Sequence, residues 1–221
     1  PCVGSSYCLY KKATCIHNAA TGNELKIPHT VTPAETPGRV VVVGGGIAGL
    51  EAARVAALRG HAVVVLEAAS QLGGQLRLAA RAPERANMIG IVDWRIAELA
   101  RLGVEVRTNC YADVQDVLAE NPDTVFVATG GLPDLGQIEG IDFCQHTWDF
   151  LSGAVPPAAE VLIHDGTGRA PAPSCALLAR KSGSSVTFAT SDGVVGQEMP
   201  YQDGTGFRKR FAELGVQILG D

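Results

Sequence analysis

The stretch from Arg39 to Gln75 constrains this chain most. It opens on Val40 to Val43, a β-branched run of the kind a strand buried on both faces requires. Gly44, Gly46 and Gly49 then occupy the three glycine places of GxGxxG. In that pattern the first glycine permits a tight turn, the second lets backbone approach a pyrophosphate, and the third lets helix pack close to strand. Ile47, Leu50, Val55 and Leu58 recur at helical spacing, and Gly60 is a good helix stop. A second strand, 62–66, ends on Glu67, at the separation of about 20 residues where an acid accepts from a ribose hydroxyl pair. A lone GxGxxG is a weak signal. Here strand, glycines, helix, second strand and acid arrive in order, and together they predict an adenine dinucleotide site. A βαβ unit whose glycines serve packing alone leaves the acid at the end of an apolar strand unexplained.

The chain has 221 residues, enough for one large or two small α/β domains with a real core. Its net charge of −5 gives no basic footprint, so nucleic acid is not an expected partner. No apolar run approaches a membrane span, and Cys2 and Cys8 stand where a signal peptide would carry its charged and apolar regions. Six scattered cysteines do not resemble a small disulfide framework, so a reducing, cytoplasmic setting is expected.

Residues 1–24 hold Cys2, Cys8 and Cys15 on glycine- and serine-containing coil. Close thiolates suit an iron–sulfur cluster, but such a cluster takes four cysteine ligands and three are present; ordinary thiols on an exposed coil are the plainer reading. Residues 25–38, with Pro28, Pro33 and Pro37, read as an extended, semi-rigid linker. After Glu67, Gly73 and Gly74 can let backbone pass close to a ligand, or form a plain turn. Residues 84–102 read as a helix with Met88, Ile91, Val92, Ile96, Leu99 and Leu102 on one stripe, and Trp94 is expected to pack on a neighbour rather than on a cofactor. A strand at 104–107 follows. Asp113 is placed to cap a short helix with Val114, Val117 and Leu118 inward. Val125 to Val127 read as another buried strand, ending on the small residues Ala128, Thr129 and Gly130. Ligands of open parallel sheets lie at such strand ends.

Residues 132–157 form a looser connection containing Cys144 and His146; with no activating third group, this pair does not read as a nucleophile and base. A second strand–glycine–helix–strand unit begins at Glu160. Asp165 precedes Gly166 and Gly168, which take the first two glycine places, while Pro171 fills the third. No acid ends the following strand, so a nicotinamide dinucleotide site there is impaired. Phe207, Phe211 and Leu214 mark a further helix, and 216–219 a strand. No side chain stands out as a general acid, base or nucleophile. A dithiol reductase is disfavoured, because Cys110, Cys144 and Cys175 form no CxxC pair.

The cysteine-rich start running into Ile16-His-Asn-Ala-Ala-Thr-Gly22, the run Pro37 to Glu51, Leu72-Gly-Gly-Gln75, Val92-Asp-Trp-Arg95 and Val127-Ala-Thr-Gly130 carry a resemblance across the whole chain. It resembles the C-terminal part of the NADH:flavin oxidoreductase family with an iron–sulfur segment, the family of 2,4-dienoyl-CoA reductase, trimethylamine dehydrogenase and N-methylproline demethylase-like enzymes. That resemblance implies a glutathione reductase-like α/β fold with two Rossmann-like lobes. It divides the chain into a cysteine segment and linker at 1–36, an FAD- or ADP-binding lobe at 37–155, and a shortened NAD(P)-binding-like lobe at 156–221. It implies an FMN barrel domain elsewhere in a longer protein, with electrons passing between flavins through a 4Fe–4S cluster, and it leaves a homo-oligomer open. Gly44, Gly46, Ile47, Ala48 and Gly49 would face the pyrophosphate, and Glu67, with Ala68 beside it, the adenosine ribose. Gly74 and Gln75 would lie beside the phosphates, and Ala128, Thr129 and Gly130 under the dinucleotide. Asp165, Gly166 and Gly168 mark the second lobe, whose worn fingerprint is closer to the amine-dehydrogenase branch, where NAD(P)H need not bind. Cys2, Cys8 and Cys15 match three cluster positions, with Ser5 at the remaining one. The alternative is a non-catalytic module holding ADP as a structural ligand.

Overall fold

The structure, a computed structural model, describes residues 2–4, 6–9, 13–134 and 139–220. Ser5, matched above to a ligand place, lies outside them. Contacts divide the chain into two units, one of residues 23–77 and 88–132, the other of 1–22, 78–87 and 133–221. Among the described residues no helix is long and apolar enough to cross a membrane.

The first unit runs β1 (Arg39–Val43), α1 (Ile47–Leu58), β2 (Ala62–Leu66), α2 (Gln75–Ala79), α3 (Ile89–Arg101), β3 (Glu105–Arg107), α4 (Val114–Ala119) and β4 (Thr124–Val127). Its four strands are parallel, in the order β3-β2-β1-β4. The two-residue period of a strand sorts the valines. Val40, Val42, Val63 and Val65 join Leu50, Ala53, Ala56, Val92 and Leu99 on one face, while Val41, Val64 and Leu66 pack on the other. Each such side chain, fully buried, contributes roughly 1.5–3 kcal/mol. Gly49, Leu50, Ala53 and Ala56 form the buried stripe of α1, small enough for close approach to sheet and α3.

The second unit carries α5 (Thr147–Ser152), β5 (Glu160–Asp165), α6 (Pro171–Lys181), β6 (Ser185–Thr190), α7 (Tyr201–Leu214) and β7 (Gln217–Leu219), its strands parallel in the order β5-β6-β7. Its core centres on Phe188 and Phe211, fully buried and edge-to-face at 5.1 Å between ring centroids. The cysteine segment belongs to this unit, where the Ser6 hydroxyl donates to Asp203 Oδ1 at 2.5 Å.

Several expectations are corrected. Residues 83–88 form a 3₁₀ turn, so the α-helix begins only at Ile89. β4 is exposed at all four residues, because it is the sheet's edge, paired to β1 alone. Of the α4 side chains expected inward only Val117 packs on the core; Val114 and Leu118 are exposed. The stretch 25–38 opens with a turn, Lys26 and Ile27 donating their amides to Asn23 O, before it extends. β6 ends on Thr190, with no acid at its end; Asp192 stands two residues beyond it, against Gly168.

Candidate functional site: the glycine turn after β1

The carboxyl ends of β1, β2 and β4 converge on one turn. Gly44 has φ +104° and donates its amide to Leu66 O at 2.8 Å, while Ala128 donates to Val43 O at 2.8 Å. A Cβ at Gly44 would stand 2.3 Å from Ala128 O, and one at Gly49 would stand 1.9 Å from Gly44 O. These two glycines therefore let strand, turn and helix close on one another. Gly46 is different. No atom of the described residues lies within 4 Å of where its Cβ would be, so its face is open.

Gly46 is also the N-cap of α1, and no side chain caps that helix. Among the described residues the amides of Ile47, Ala48 and Gly49 donate to nothing outside the helix. Free amides at a helix start, with the partial positive charge of the helix dipole behind them, make an anion site. Glu67 follows β2 and reaches the same turn: its Oε2 accepts the Gly45 amide at 2.5 Å and its Oε1 the Ala69 amide at 2.7 Å. Ala68 is exposed beside it. Gly73 donates to Gly45 O at 2.8 Å, and this bond brings Gly74 against the turn, its Cβ position 3.2 Å from Gly46 Cα. Gln75 Nε2 donates to Gly131 O at 3.2 Å and so holds the exposed Thr129 and Gly130 on the turn's other flank. An adenine dinucleotide fits this set: open amides for a diphosphate, a carboxylate for ribose hydroxyls, and backbone on either side.

Behind the turn, Arg95 is buried to 3% exposure and its Nε donates to Glu51 Oε2 at 2.9 Å, while Arg54 holds Glu51 Oε1 at 2.6 Å. Burial alone would raise the Glu51 pKa, but the Arg54 and Arg95 guanidiniums outweigh it and hold this carboxyl below the usual range. Trp94 lies under both guanidiniums, at 5.4 and 5.7 Å, so it packs on neighbours as expected. Sequence reasoning did not mark this triad, although Glu51 and Arg95 both lie within the runs that carry the resemblance. A trough of about 500 Å³ between α1 and β4 is lined by Val40, Ala52, Val55, Ala56 and Phe126, with Arg59 and His61 among its polar residues.

The other candidates behave differently. Cys2 Sγ accepts the Gly4 amide and Cys15 Sγ the His17 amide, each at 3.4 Å, and Cys8 is exposed on a 3₁₀ turn. Among the described residues no three His, Cys, Asp or Glu side chains gather into a group that could hold a metal ion. His146 caps α5, its Nδ1 accepting the Trp148 amide at 3.0 Å, while Cys144 Sγ points to Gly140 O at 3.8 Å. Cys175 is buried and its thiol is pushed up to about 12. In the second unit Asp165 folds back on its own turn, bonded to Thr167 and Gly168, and Gly166 is exposed.

A family model described as an NAD(P)-binding Rossmann-like domain matches residues 42–92, the span of this turn and its flanking elements. The chain is 48% identical over 198 residues to a multifunctional alkene reductase/demethylase of Caballeronia cordobensis, covering 90% of this chain and 29% of that protein. It is 46% identical to a probable N-methylproline demethylase of Rhizobium meliloti, with 87% and 29% covered. Among solved structures, a 6-hydroxypseudooxynicotine amine oxidase from Pseudomonas geniculata matches with a TM-score of 0.88 at 27% identity, over 99% of this chain and 36% of that one. The chain thus spans about three tenths of the length of the curated relatives it matches. With the glycine turn, its carboxylate and two parallel α/β lobes in place, the chain belongs to the C-terminal part of the NADH:flavin oxidoreductase family.

Proposed function

We propose that the turn at residues 44–49 holds the diphosphate of FAD or ADP, and that this chain is the electron-transfer part of a multicentre flavoprotein oxidoreductase. Substrate chemistry then belongs to an FMN-bearing barrel domain of the same longer protein. The observation that carries the reading is the open face of Gly46 at the uncapped start of α1, with the Glu67 carboxylate reaching the same turn. Bound there, a flavin supplies the redox chemistry. The chain orients it: Ile47, Ala48 and Gly49 donate amides to phosphate oxygens, and Glu67 accepts from the ribose hydroxyls. Gly74, Gln75 and Ala128 to Gly130 bring backbone alongside. The six scattered cysteines of the sequence, without a small disulfide framework, support a reducing, cytoplasmic setting.

Titration of the purified chain with FAD and with ADP, followed calorimetrically and by flavin fluorescence, tests this. Saturable binding of one equivalent is expected. A yellow protein favours FAD, and a colourless one with extractable ADP favours the structural-ligand module. No saturable binding of either ligand overturns the proposal.

A further inference from the structure

The turn after β5 follows the plan of the turn after β1 but closes on itself. Asp165 ends β5 and is 2% exposed. Its Oδ1 accepts three donors: the Thr167 amide at 3.0 Å, the Thr167 hydroxyl at 3.1 Å and the Gly168 amide at 3.1 Å. The Arg169 amide donates to Thr167 Oγ1 at 3.3 Å. α6 then begins on Pro171 and carries Pro173 in its first turn, so two of its leading amides do not exist. The Ser174 amide is already bonded to Ala170 O at 3.0 Å. A diphosphate at a helix start needs those amides free. Here the Thr167, Gly168 and Arg169 amides are bonded within the turn and residues 171 and 173 have none, which leaves Ala170 and Ala172 to supply amides at the start of α6.

The charge has the wrong sign as well. Asp165 Oδ2 and Asp192 Oδ2 are both buried without a hydrogen-bond partner among the described residues. The Asp192 oxygen lies 2.4 Å from where a Cβ at Gly168 would stand, and Gly168 itself has φ +62°. Asp192 is thus placed against its turn much as Glu67 is against the first, and could accept from a ribose. The phosphate place beside it, however, is filled by a carboxylate. In the first unit the acid comes from the neighbouring strand and leaves the helix amides open; in the second an additional acid comes from the leading strand and takes the Thr167 and Gly168 amides of the turn.

We infer that the second unit holds no nicotinamide dinucleotide, because the Asp165 carboxylate stands in for the phosphates at its glycine turn. Reducing equivalents handled by the longer protein are therefore not exchanged with a nicotinamide seated on residues 160–192; their donor or acceptor docks elsewhere. This inference does not depend on the first turn binding FAD or ADP.

Hydrogen–deuterium exchange of the whole chain, with and without millimolar NADH and, separately, NADPH, reads the second turn directly. The expected result is unchanged exchange at amides 166–170 with either nucleotide, whatever happens at 44–49. Protection of 166–170 by either one overturns the inference. A further arm with ADP keeps the two readings apart: no protection of 44–49 by ADP counts against the proposed function and leaves this inference standing.

Discussion

Glu67 and Gly45 are joined by a 2.5 Å hydrogen bond from the Gly45 amide to the Glu67 carboxylate. That bond fixes the tip of β2 to the turn between β1 and α1. It places one acceptor oxygen, already oriented, at the edge of a turn whose next residue, Gly46, faces open space. The geometry of the turn is thus fixed by the chain itself, and a ligand seated there as proposed would need little further ordering.

Glu67→Gln keeps an oxygen for the Gly45 amide but removes the charge and one acceptor. Affinity for ADP should fall about 10- to 100-fold, the worth of roughly 1.5–3 kcal/mol for hydrogen bonds to a charged group. Inorganic pyrophosphate, which has no ribose, should bind equally to both proteins. Calorimetric titration of the two ligands separates these effects.

Gly49→Ala places a methyl where Gly44 O stands, 1.9 Å away, and neither is a side chain that can swing aside. The α1 start must move off the turn. A loss of about 1–3 kcal/mol, typical of overpacking, is expected in urea unfolding.

Glu51→Gln leaves the buried Arg95 without its counter-charge. At neutral pH the loss should be about 2 kcal/mol, below the range of roughly 3–5 for fully buried pairs because Glu51 is partly exposed. The folded Glu51 carboxyl titrates below its unfolded value, so its contribution is complete above the ordinary carboxylate range and is lost as pH falls through the folded value. The stability gap between parent and Glu51→Gln should therefore narrow as the solution is acidified below about pH 4. A gap that stays constant across that range contradicts the ion pair.

Phe211→Ala and Phe126→Ala distinguish core from edge. Phe211 is fully buried against Phe188, and its truncation should remove about 3–5 kcal/mol. Phe126 is 44% exposed on β4, and the same change should remove much less. Thermal unfolding of the two variants gives the comparison.

The first unit could be read from sequence because its signals are local. Val40 to Val43 alternate between two core faces, three glycines fix a turn, and an acid closes the next strand. Strand position in the sheet is not local. Thr124 to Val127 carry the same β-branched and aromatic character as β1, and only the order β3-β2-β1-β4 makes them an exposed edge. The Asp165 turn shows a second limit. Pro171 in the third glycine place reads as a worn fingerprint, but the hold of Asp165 on the Thr167 and Gly168 amides depends on the fold of the turn, in which Gly168 has φ +62°. The Asp113 cap was legible, with Asp116 completing the capping box, because both partners lie within one turn of helix. The short α5 was not, although His146 before Thr147 and Asp149 is a weak start signal.

The most direct test is Gly46→Asp. The backbone at Gly46 is extended, with φ −71°, and its Cβ direction is empty, so the fold can accept a side chain there. Aspartate is also a better helix cap than glycine by a few tenths of a kcal/mol. A diphosphate site at this turn predicts a melting temperature equal to or above the parent's, together with loss of saturable FAD and ADP binding. A variant that melts normally and binds either ligand as tightly as the parent contradicts it.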